Sequence, residues 1–173
     1  MKDFVYKALP SRVVFGSGKL ASIREEVEAI GSTRALVLCT PPQRAQAEKV
    51  GELLGSSLAG IHDGAEMHVP IESARKARAL AAELGADCAV AIGGGSTIGL
   101  GKAIALEAPI PIIAIPTTYA GSEMTPIYGI TEGGLKRTGK DVRVLPRSVV
   151  YDPDLTMTLP LGMSLVSLSL IHI

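Results

Sequence analysis

The run Gly93-Gly94-Gly95-Ser96 follows an apolar segment and precedes a helical one. Glycines at such a junction let the backbone approach a diphosphate closely, while the helix start offers unpaired N–H groups and a positive dipole end to the phosphate oxygens. Ser96 could cap this helix or donate its hydroxyl to phosphate. The alternative is a turn without a ligand, yet each glycine costs roughly 0.5–1 kcal/mol in entropy. The pattern therefore favours a phosphate site, although it is not the G-x-G-x-x-G fingerprint.

A second polar segment, residues 116–126, leaves the carboxyl end of a predicted strand, where open α/β sheets bind their ligands. Five hydroxyl groups in it could reach phosphate, ribose or amide: those of Thr117, Thr118, Tyr119, Ser122 and Thr125. Alternatively, these hydroxyls satisfy only the backbone of the loop itself. The loop alone does not decide between the two interpretations, but the neighbouring glycine run favours ligand binding. Lys102, two turns into the intervening helix, is predicted to have a structural role.

Short strands and helices alternate around these two segments. Apolar runs bounded by polar residues predict strands, several of them buried and parallel, at residues 4–7, 12–16, 35–39, 57–61, 87–92, 111–116 and 148–151. Apolar residues at steps of three and four predict helices at residues 19–30, 43–54, 71–84 and 97–106, the last of them buried. This alternation predicts an α/β fold with right-handed crossovers and a doubly wound, mostly parallel sheet.

Two finer predictions come from side-chain patterns. In the helix at residues 71–84, the side chains predicted to face water are those of Glu72, Arg75, Lys76, Arg78 and Glu83. Beyond Thr117 the chain becomes polar and rich in glycine. There, residues 128–131 and 142–145 are predicted to form a hairpin around Gly133-Gly134.

Composition restricts the class of protein. The chain has 173 residues, of which 47% are hydrophobic and 3% aromatic, so aliphatic side chains must fill the core of what is expected to be one domain. The net charge is zero, which argues against nucleic acid or an acidic membrane as a partner. Cys39 and Cys88 lie in apolar runs and are predicted to be buried in a reducing compartment. Without an apolar segment near its start or a membrane-spanning run, the chain is expected to be cytoplasmic.

The glycine run and the polar loop together resemble the iron-containing (group III) alcohol dehydrogenase family, over the chain up to about Ser167. The family signature G-G-G-S-x-x-D-x-x-K-A is matched from Gly93 to Ala103, except that Gly99 stands where the Asp would be. That departure resembles the maleylacetate reductase branch of the family. Further stretches that resemble this branch are residues 67–70, 117–127, 136–141, 144–146 and 151–156.

The resemblance implies a Rossmann-like dinucleotide-binding domain over residues 1–160, which binds NADH or NADPH. It implies that Gly94, Gly95 and Ser96 hold the pyrophosphate, that Thr117, Thr118 and Ser122 lie along the cofactor towards the nicotinamide, and that Thr40 lies near the adenosine ribose. The residues Cys39-Thr40-Pro41-Pro42 contain no carboxylate that would select NAD, so tolerance of NADPH remains open.

The implied reaction is reduction of 2-maleylacetate, or of a chlorinated analogue, to 3-oxoadipate in the breakdown of aromatic compounds. The full-length enzyme is expected to be a homodimer. Two alternatives are another alcohol or polyol dehydrogenase of the family and a nucleotide-binding module without catalysis. Gly99 and the sequence Tyr119-Ala120-Gly121 argue against the first alternative.

Residues 161–173 are expected to begin the family's helical domain, most of which is absent, and residues 168–173 to be non-native. In iron and zinc enzymes of the family that domain supplies an Asp and three His as metal ligands, but maleylacetate reductases depart at some of these positions. No metal site and no catalytic residue is therefore assigned. His62 and His68, in a predicted loop, could form a metal pair, but no carboxylate or Cys completes a set, which favours surface residues.

Overall fold

The computed structural model describes residues 11–157 and 159–169, so the strand predicted at residues 4–7 lies outside the described part. The strands are β1 (Arg12–Phe15), β2 (Ala35–Leu38), β3 (Leu58–His62), β4 (Cys88–Gly93), β5 (Ile112–Pro116), β6 (Ile127–Glu132), β7 (Leu135–Lys140) and β8 (Ser148–Tyr151). The α-helices are α1 (Ile23–Ala29), α2 (Arg44–Leu54), α3 (Ile71–Glu83), α4 (Gly95–Glu107) and α5 (Leu161–Ser169).

Six strands form one sheet in the order β1-β8-β5-β4-β2-β3, and every neighbouring pair is parallel. The prediction that β2, β4 and β5 share a parallel sheet is thereby confirmed. From β2 the chain moves outward to β3, whereas from β4 it moves in the opposite direction to β5. The strand order therefore reverses between β2 and β4. In open α/β sheets, the carboxyl ends of the strands at such a reversal flank the ligand-binding crevice.

Helices cover both faces of this sheet, as the prediction of a doubly wound sheet requires. The helices α1 and α2 pack on one face, and α3 and α4 pack on the other. Successive side chains of β4 alternate between the two layers, because residues of a strand point to opposite faces in turn. Val90 and Ile92 contact the layer of α1 and α2, while Ala89 and Ala91 contact the layer of α3 and α4.

Both cysteines are buried, as predicted from the apolar runs around them. Burial raises the pKa of the Cys39 thiol to about 11 and that of the Cys88 thiol to about 12. Both thiols therefore stay protonated near neutral pH and pack as small apolar side chains. In the described part of the chain, no helix is long and apolar enough to cross a membrane.

The hairpin prediction is wrong in its second strand. β6 pairs with β7 in an antiparallel register that sets Glu132 opposite Leu135, and Val142–Val144 forms a 3-10 turn instead. Gly133 and Gly134 have φ angles of 57° and 77°, so they make a two-residue turn after which the second strand begins at once. The side chains of β7 are mostly exposed, and a search for apolar runs therefore misses this strand.

Two helix predictions also need correction. The helix predicted from residue 19 begins as a 3-10 turn, Lys19–Ser22, and becomes α-helical only at Ile23. Arg78 does not face water, because its side chain is only 15% exposed. Its guanidinium donates to the carbonyl of Ala103 over 3.2 Å and pairs with Glu107 over 2.9 Å. These contacts arise because α4 packs beside α3 and covers the flank on which Arg78 lies.

Candidate functional site

The glycine run occupies the reversal point of the sheet, where β4 ends and α4 begins. Gly93 has a φ of 153°, and a Cβ at this position would lie 2.5 Å from Thr97 Oγ1 and 2.8 Å from Gln43 Oε1. Only glycine fits this position, because both the backbone angle and the close neighbours exclude a side chain. The first glycine of the run is thus required by the fold itself.

The second and third glycines differ from the first. A Cβ on Gly94 would lie 3.0 Å from Thr118 Cγ2, so this glycine lets the loop after β5 approach the loop after β4. A Cβ on Gly95 would meet no atom within 4 Å in the described part of the protein. Packing therefore does not explain why residue 95 is a glycine. Gly95 opens α4, and the first N–H groups of this helix have no partner within the helix.

Ser96 does not cap α4, which corrects one of the two roles that the sequence allows. The N-cap position is held by Gly94, and Ser96 lies within the first turn of the helix. Gly94 has an extended backbone, with a φ of −90° and a ψ of −160°, and α4 begins directly after it. The hydroxyl of Ser96 is therefore not used as an N-cap, and the residue lines a cavity instead.

Gln43 joins the loops that follow β2 and β5. Its side-chain oxygen accepts a hydrogen bond of 2.9 Å from Thr40 Oγ1, and its Nε2 donates over 2.9 Å to Thr117 Oγ1. Thr117 is buried, and its backbone N–H donates to the carbonyl of Gly93 over 3.0 Å. Three strand ends at the reversal point are thus connected. No motif in the sequence marks Gln43, whose only signal is its place just after Pro41-Pro42 at the end of a buried strand.

The loop after β5 is fixed by the buried side chain of Lys102. The ammonium donates to the carbonyl oxygens of Ser122, Thr125 and Ile127, over 2.7, 2.8 and 2.7 Å. Burial lowers the pKa of Lys102 to about 8, and the carboxylate of Glu123 opposes this shift. The structural role predicted for Lys102 is confirmed by these contacts.

A buried carboxylate fixes the same loop from its other side. Glu123 is only 2% exposed, and its Oε1 accepts a hydrogen bond of 2.7 Å from the hydroxyl of Tyr151 at the end of β8. Burial, with the hydrogen bond to Glu123, raises the pKa of the Tyr151 hydroxyl well above its ordinary range. Tyr151 therefore stays protonated and keeps donating to Glu123.

Two cavities border the loop after β5. One, of about 570 Å³, is lined by Gly95, Ser96 and Ser122 together with His68 and other residues of the 67–69 segment, α4 and the β6–β7 hairpin. Its lining includes lysines but no Asp or Glu. The other, of about 620 Å³, is lined by Thr118, Tyr119 and Glu123 among others. The structure thus brings Gly95, Ser96 and Ser122 to one cavity, whereas Thr40 and Thr117 meet through Gln43 and Thr118 abuts Gly94.

A family model described as iron-containing alcohol dehydrogenase matches residues 10–153, which is most of the chain. The chain belongs to the iron-containing alcohol dehydrogenase family. Maleylacetate reductase from Burkholderia cepacia is 62% identical over 167 residues, which are 96% of this chain and 47% of that protein. The crystal structure of maleylacetate reductase from Agrobacterium tumefaciens is 49% identical with a TM-score of 0.93, and it is matched over 96% of this chain and 48% of its own.

Maleylacetate reductase from Rhizobium sp. strain MTP-10005 is a third such relative, and its crystal structure is 50% identical with a TM-score of 0.93 over 96% of this chain. The chain spans about half the length of these relatives. The Rossmann-like fold predicted from the sequence is confirmed by these structural matches. These three relatives are maleylacetate reductases, the branch that the sequence resembles.

Iron-containing alcohol dehydrogenases take their name from a metal, and a metal ion in this part of the protein would need several ligands among the described residues. They contain no group of three or more His, Cys, Asp and Glu side chains that could hold one. His62 does not lie in a loop, as predicted, but ends β3, and burial lowers the pKa of its imidazole. His68 lies beyond it on an exposed turn with a φ of 65°. The described residues therefore do not fit a metal ion.

Proposed function

We propose that this chain supplies the cofactor-binding half of a maleylacetate reductase, which reduces 2-maleylacetate, or a chlorinated analogue, to 3-oxoadipate with NADH or NADPH. The observation that carries the proposal is the open position of Gly95 at the start of α4. It lies at the reversal point of the sheet, its missing side chain would touch nothing, and the relatives matched over the same residues are maleylacetate reductases. A diphosphate would fill this space and use the unpaired N–H groups.

In this proposal each site residue has one contact with the dinucleotide. The backbone of Gly94 and Gly95 and the hydroxyl of Ser96 hold the pyrophosphate, whose charge the amino end of α4 stabilises. Thr117, Thr118 and Ser122 lie along the cofactor towards its nicotinamide, and Thr40 lies near the adenosine ribose, at the end of β2. When bound, the nicotinamide supplies a hydride to the substrate.

The residues around Thr40, Cys39-Thr40-Pro41-Pro42, include no carboxylate that would repel the additional phosphate of NADPH. The nearest cation in sequence is Arg44, which pairs with Glu48 over 3.0 Å and with Asp63 over 3.2 Å. Because this guanidinium already has two carboxylate partners, it adds little attraction for a phosphate. We infer that NADH and NADPH bind with affinities of the same order, in a cytoplasmic enzyme that is a homodimer at full length.

The test is an assay of the full-length protein, in which NADH absorbance is followed after addition of maleylacetate. Turnover within the ordinary enzyme range, on the order of 1–10³ per second, supports the proposal. Reduction of aldehydes but not of maleylacetate would indicate another dehydrogenase of the family. Binding of NADH without any turnover would indicate a nucleotide-binding module.

The 173-residue chain alone provides the complementary arm of this test. We expect it to bind NADH weakly and to reduce no maleylacetate, because hydride transfer needs the substrate fixed against the nicotinamide. The groups assigned above would contact the phosphate, ribose or amide of the cofactor. Turnover by the purified, monodisperse chain would show that the catalytic groups lie within it. This result would contradict the proposal that the chain supplies only the cofactor-binding half of the enzyme.

A further inference from the structure

Lys102 is the largest of the fully buried side chains, and it is a cation. It is 1% exposed, and its ammonium lies among four oxygen atoms: three backbone carbonyls and Thr125 Oγ1, the last at 3.3 Å. None of these four acceptors is a carboxylate. Burial of a charge is unfavourable unless hydrogen bonds offset it, so a position that required only packing would be better filled by Leu or Met.

The oxygens that Lys102 holds all belong to one short segment, residues 122–127. Ser122 stands at its start and Ile127 at its end, where β6 begins. The same segment is fixed on its other side, where Glu123 accepts a hydrogen bond from Tyr151 of β8. The loop is therefore fastened to α4 by one residue and to the sheet by another. Its position relative to α4 sets how Ser122 stands with respect to Ser96 in the cavity they both line.

We propose that Lys102 is a positioning residue of the cofactor site: its ammonium fixes residues 122–127 against α4, so that Ser122 and Ser96 line one cavity before the cofactor binds. This inference rests on the proposed function. The physical basis is preorganisation, because a loop that is ordered beforehand loses less conformational entropy when a ligand binds. Lys102 contributes to the lining of this cavity but is only 1% exposed, and its ammonium acts on the cofactor through the loop.

This role depends on the proton of Lys102. The ammonium has three N–H donors for its four acceptors, whereas the neutral amine has two and turns a lone pair towards a carbonyl oxygen. Burial lowers the pKa of Lys102 to about 8, opposed by Glu123. Affinity for the cofactor should therefore fall as the pH rises through about 8.

Other titratable or charged groups stand near this position. His68, Tyr128 and Lys136 line the same cavity as Lys102. On the neighbouring elements, Tyr151 is bonded to Glu123, Arg78 of α3 is paired with Glu107, and Arg143 of the 142–144 turn is paired with Asp141. The pH profile of the unaltered protein combines the contributions of all these groups. The contribution of Lys102 must therefore be obtained by comparison with variants at this position.

The experiment measures the Kd of NADH by fluorescence titration in the full-length protein, at pH values on either side of about 8. The variants are Lys102→Met, which removes the charge, Lys102→Gln, which keeps two N–H donors without a titrating charge, and the exposed control Lys49→Met. Hydrogen exchange of the amides of residues 121–127 is measured at one pH without cofactor. Thermal unfolding and circular dichroism verify that each variant is folded.

We expect Lys102→Met to raise the Kd below pH 8 by about tenfold, the loss expected when hydrogen bonds to a charged group are removed. Lys102→Gln should regain part of this affinity, and neither variant should show the rise in Kd above pH 8 that the unaltered protein and Lys49→Met share. Amides of residues 121–127 should exchange faster in Lys102→Met.

Two results would overturn the inference, and they can be told apart. If Lys102→Met folds and binds NADH with the affinity and pH profile of the unaltered protein, Lys102 does not position the site, while the proposed function stands. If the unaltered full-length protein does not bind NADH at all, the cofactor site is wrong and Lys102 has nothing to position. In the first of these cases, a lower melting temperature of Lys102→Met would show that the role of Lys102 is purely structural.

Discussion

Gln43 and Thr117 are 74 residues apart in the sequence, yet Gln43 Nε2 donates a hydrogen bond of 2.9 Å to Thr117 Oγ1. This bond joins the loop after β2 to the loop after β5, across the end of β4. The same side chain accepts from Thr40, at the place proposed for the adenosine ribose. One amide thus sets the relative positions of residues proposed for the two ends of the dinucleotide.

Replacement of Gln43 by Leu should weaken cofactor binding more than it weakens the fold. The leucine cannot bond to Thr40 or Thr117, which leaves the buried hydroxyl of Thr117 without this partner, at a cost of about 1–3 kcal/mol. We expect a Kd for NADH about tenfold higher in the full-length protein. Isothermal titration measures this change, with the exposed Glu52→Gln of α2 as control. Equal affinities of Gln43→Leu and Glu52→Gln would contradict the role given to Gln43.

Gly95 and Gly94 should respond differently to a valine. In Gly95→Val the Cβ meets no protein atom, so the melting temperature should change little, but the side chain would fill the space proposed for the pyrophosphate. In Gly94→Val the Cβ also presses on Thr118, so stability and NADH binding should both decline. Differential scanning calorimetry and NADH titration separate the two effects. Unchanged NADH affinity in a folded Gly95→Val protein would show that the phosphate assignment is wrong.

Gly99 should not accept the aspartate that the family signature carries at this position. A Cβ on Gly99 would lie 2.7 Å from Val69 Cγ2, and Val69 is buried with an unusual positive φ of 49°. Gly99→Asp should therefore lower the free energy of unfolding by about 1–3 kcal/mol through overpacking. Val69→Ala should restore part of this loss when the two changes are combined. Urea unfolding of the four proteins measures the coupling, and strictly additive effects would contradict the contact.

Stability and cofactor affinity should depend on pH in opposite ways where Lys102 titrates. Burial lowers the pKa of Lys102 from 10.5 to about 8, so between these values the unfolded chain binds more protons than the folded one. The free energy of unfolding should then rise with pH, by on the order of 3 kcal/mol across this window. Cys39 and Cys88 titrate there with the opposite sign, because their pKa values are raised. The difference between the unaltered protein and Lys102→Met in urea unfolding isolates the lysine, and a flat difference would contradict its burial as a cation.

The sequence predicted most of the sheet because its buried strands are short apolar runs, a signal that each run carries by itself. The apolar run of β4 and the glycines after it are also signals that a short stretch of sequence carries by itself. The start of α4 could therefore be predicted to within two residues. The sequence does not indicate β7 as a strand, because the side chains of Leu135–Lys140 face solvent and form no apolar run. Only the two-residue turn at Gly133-Gly134, with its positive φ angles, makes a second strand begin directly after it.

The parts of the site that the sequence did not reveal depend on contacts between distant segments. Gln43 gains its role from two loops that meet only in the folded protein. The side chain of Arg78 is covered by α4, which no pattern within α3 indicates. The N-cap of α4 is Gly94 because the helix already begins at Gly95, whereas Ser96 is the better capping residue by type. Residue type alone therefore favoured the wrong position.

The pairing of β1 with β8 has a consequence for how the protein is made. Arg12 lies opposite Ser148 and Phe15 lies opposite Tyr151, although most of the domain separates them in sequence. A chain that emerges from the ribosome amino end first exposes Arg12–Phe15 long before Ser148–Tyr151 exists. Contacts of such high sequence separation form slowly, and Val13 and Phe15 have no sheet partner until then. Completion of the sheet must therefore wait until β8 has been synthesised, and nascent chains shorter than about 150 residues should be substrates for chaperones.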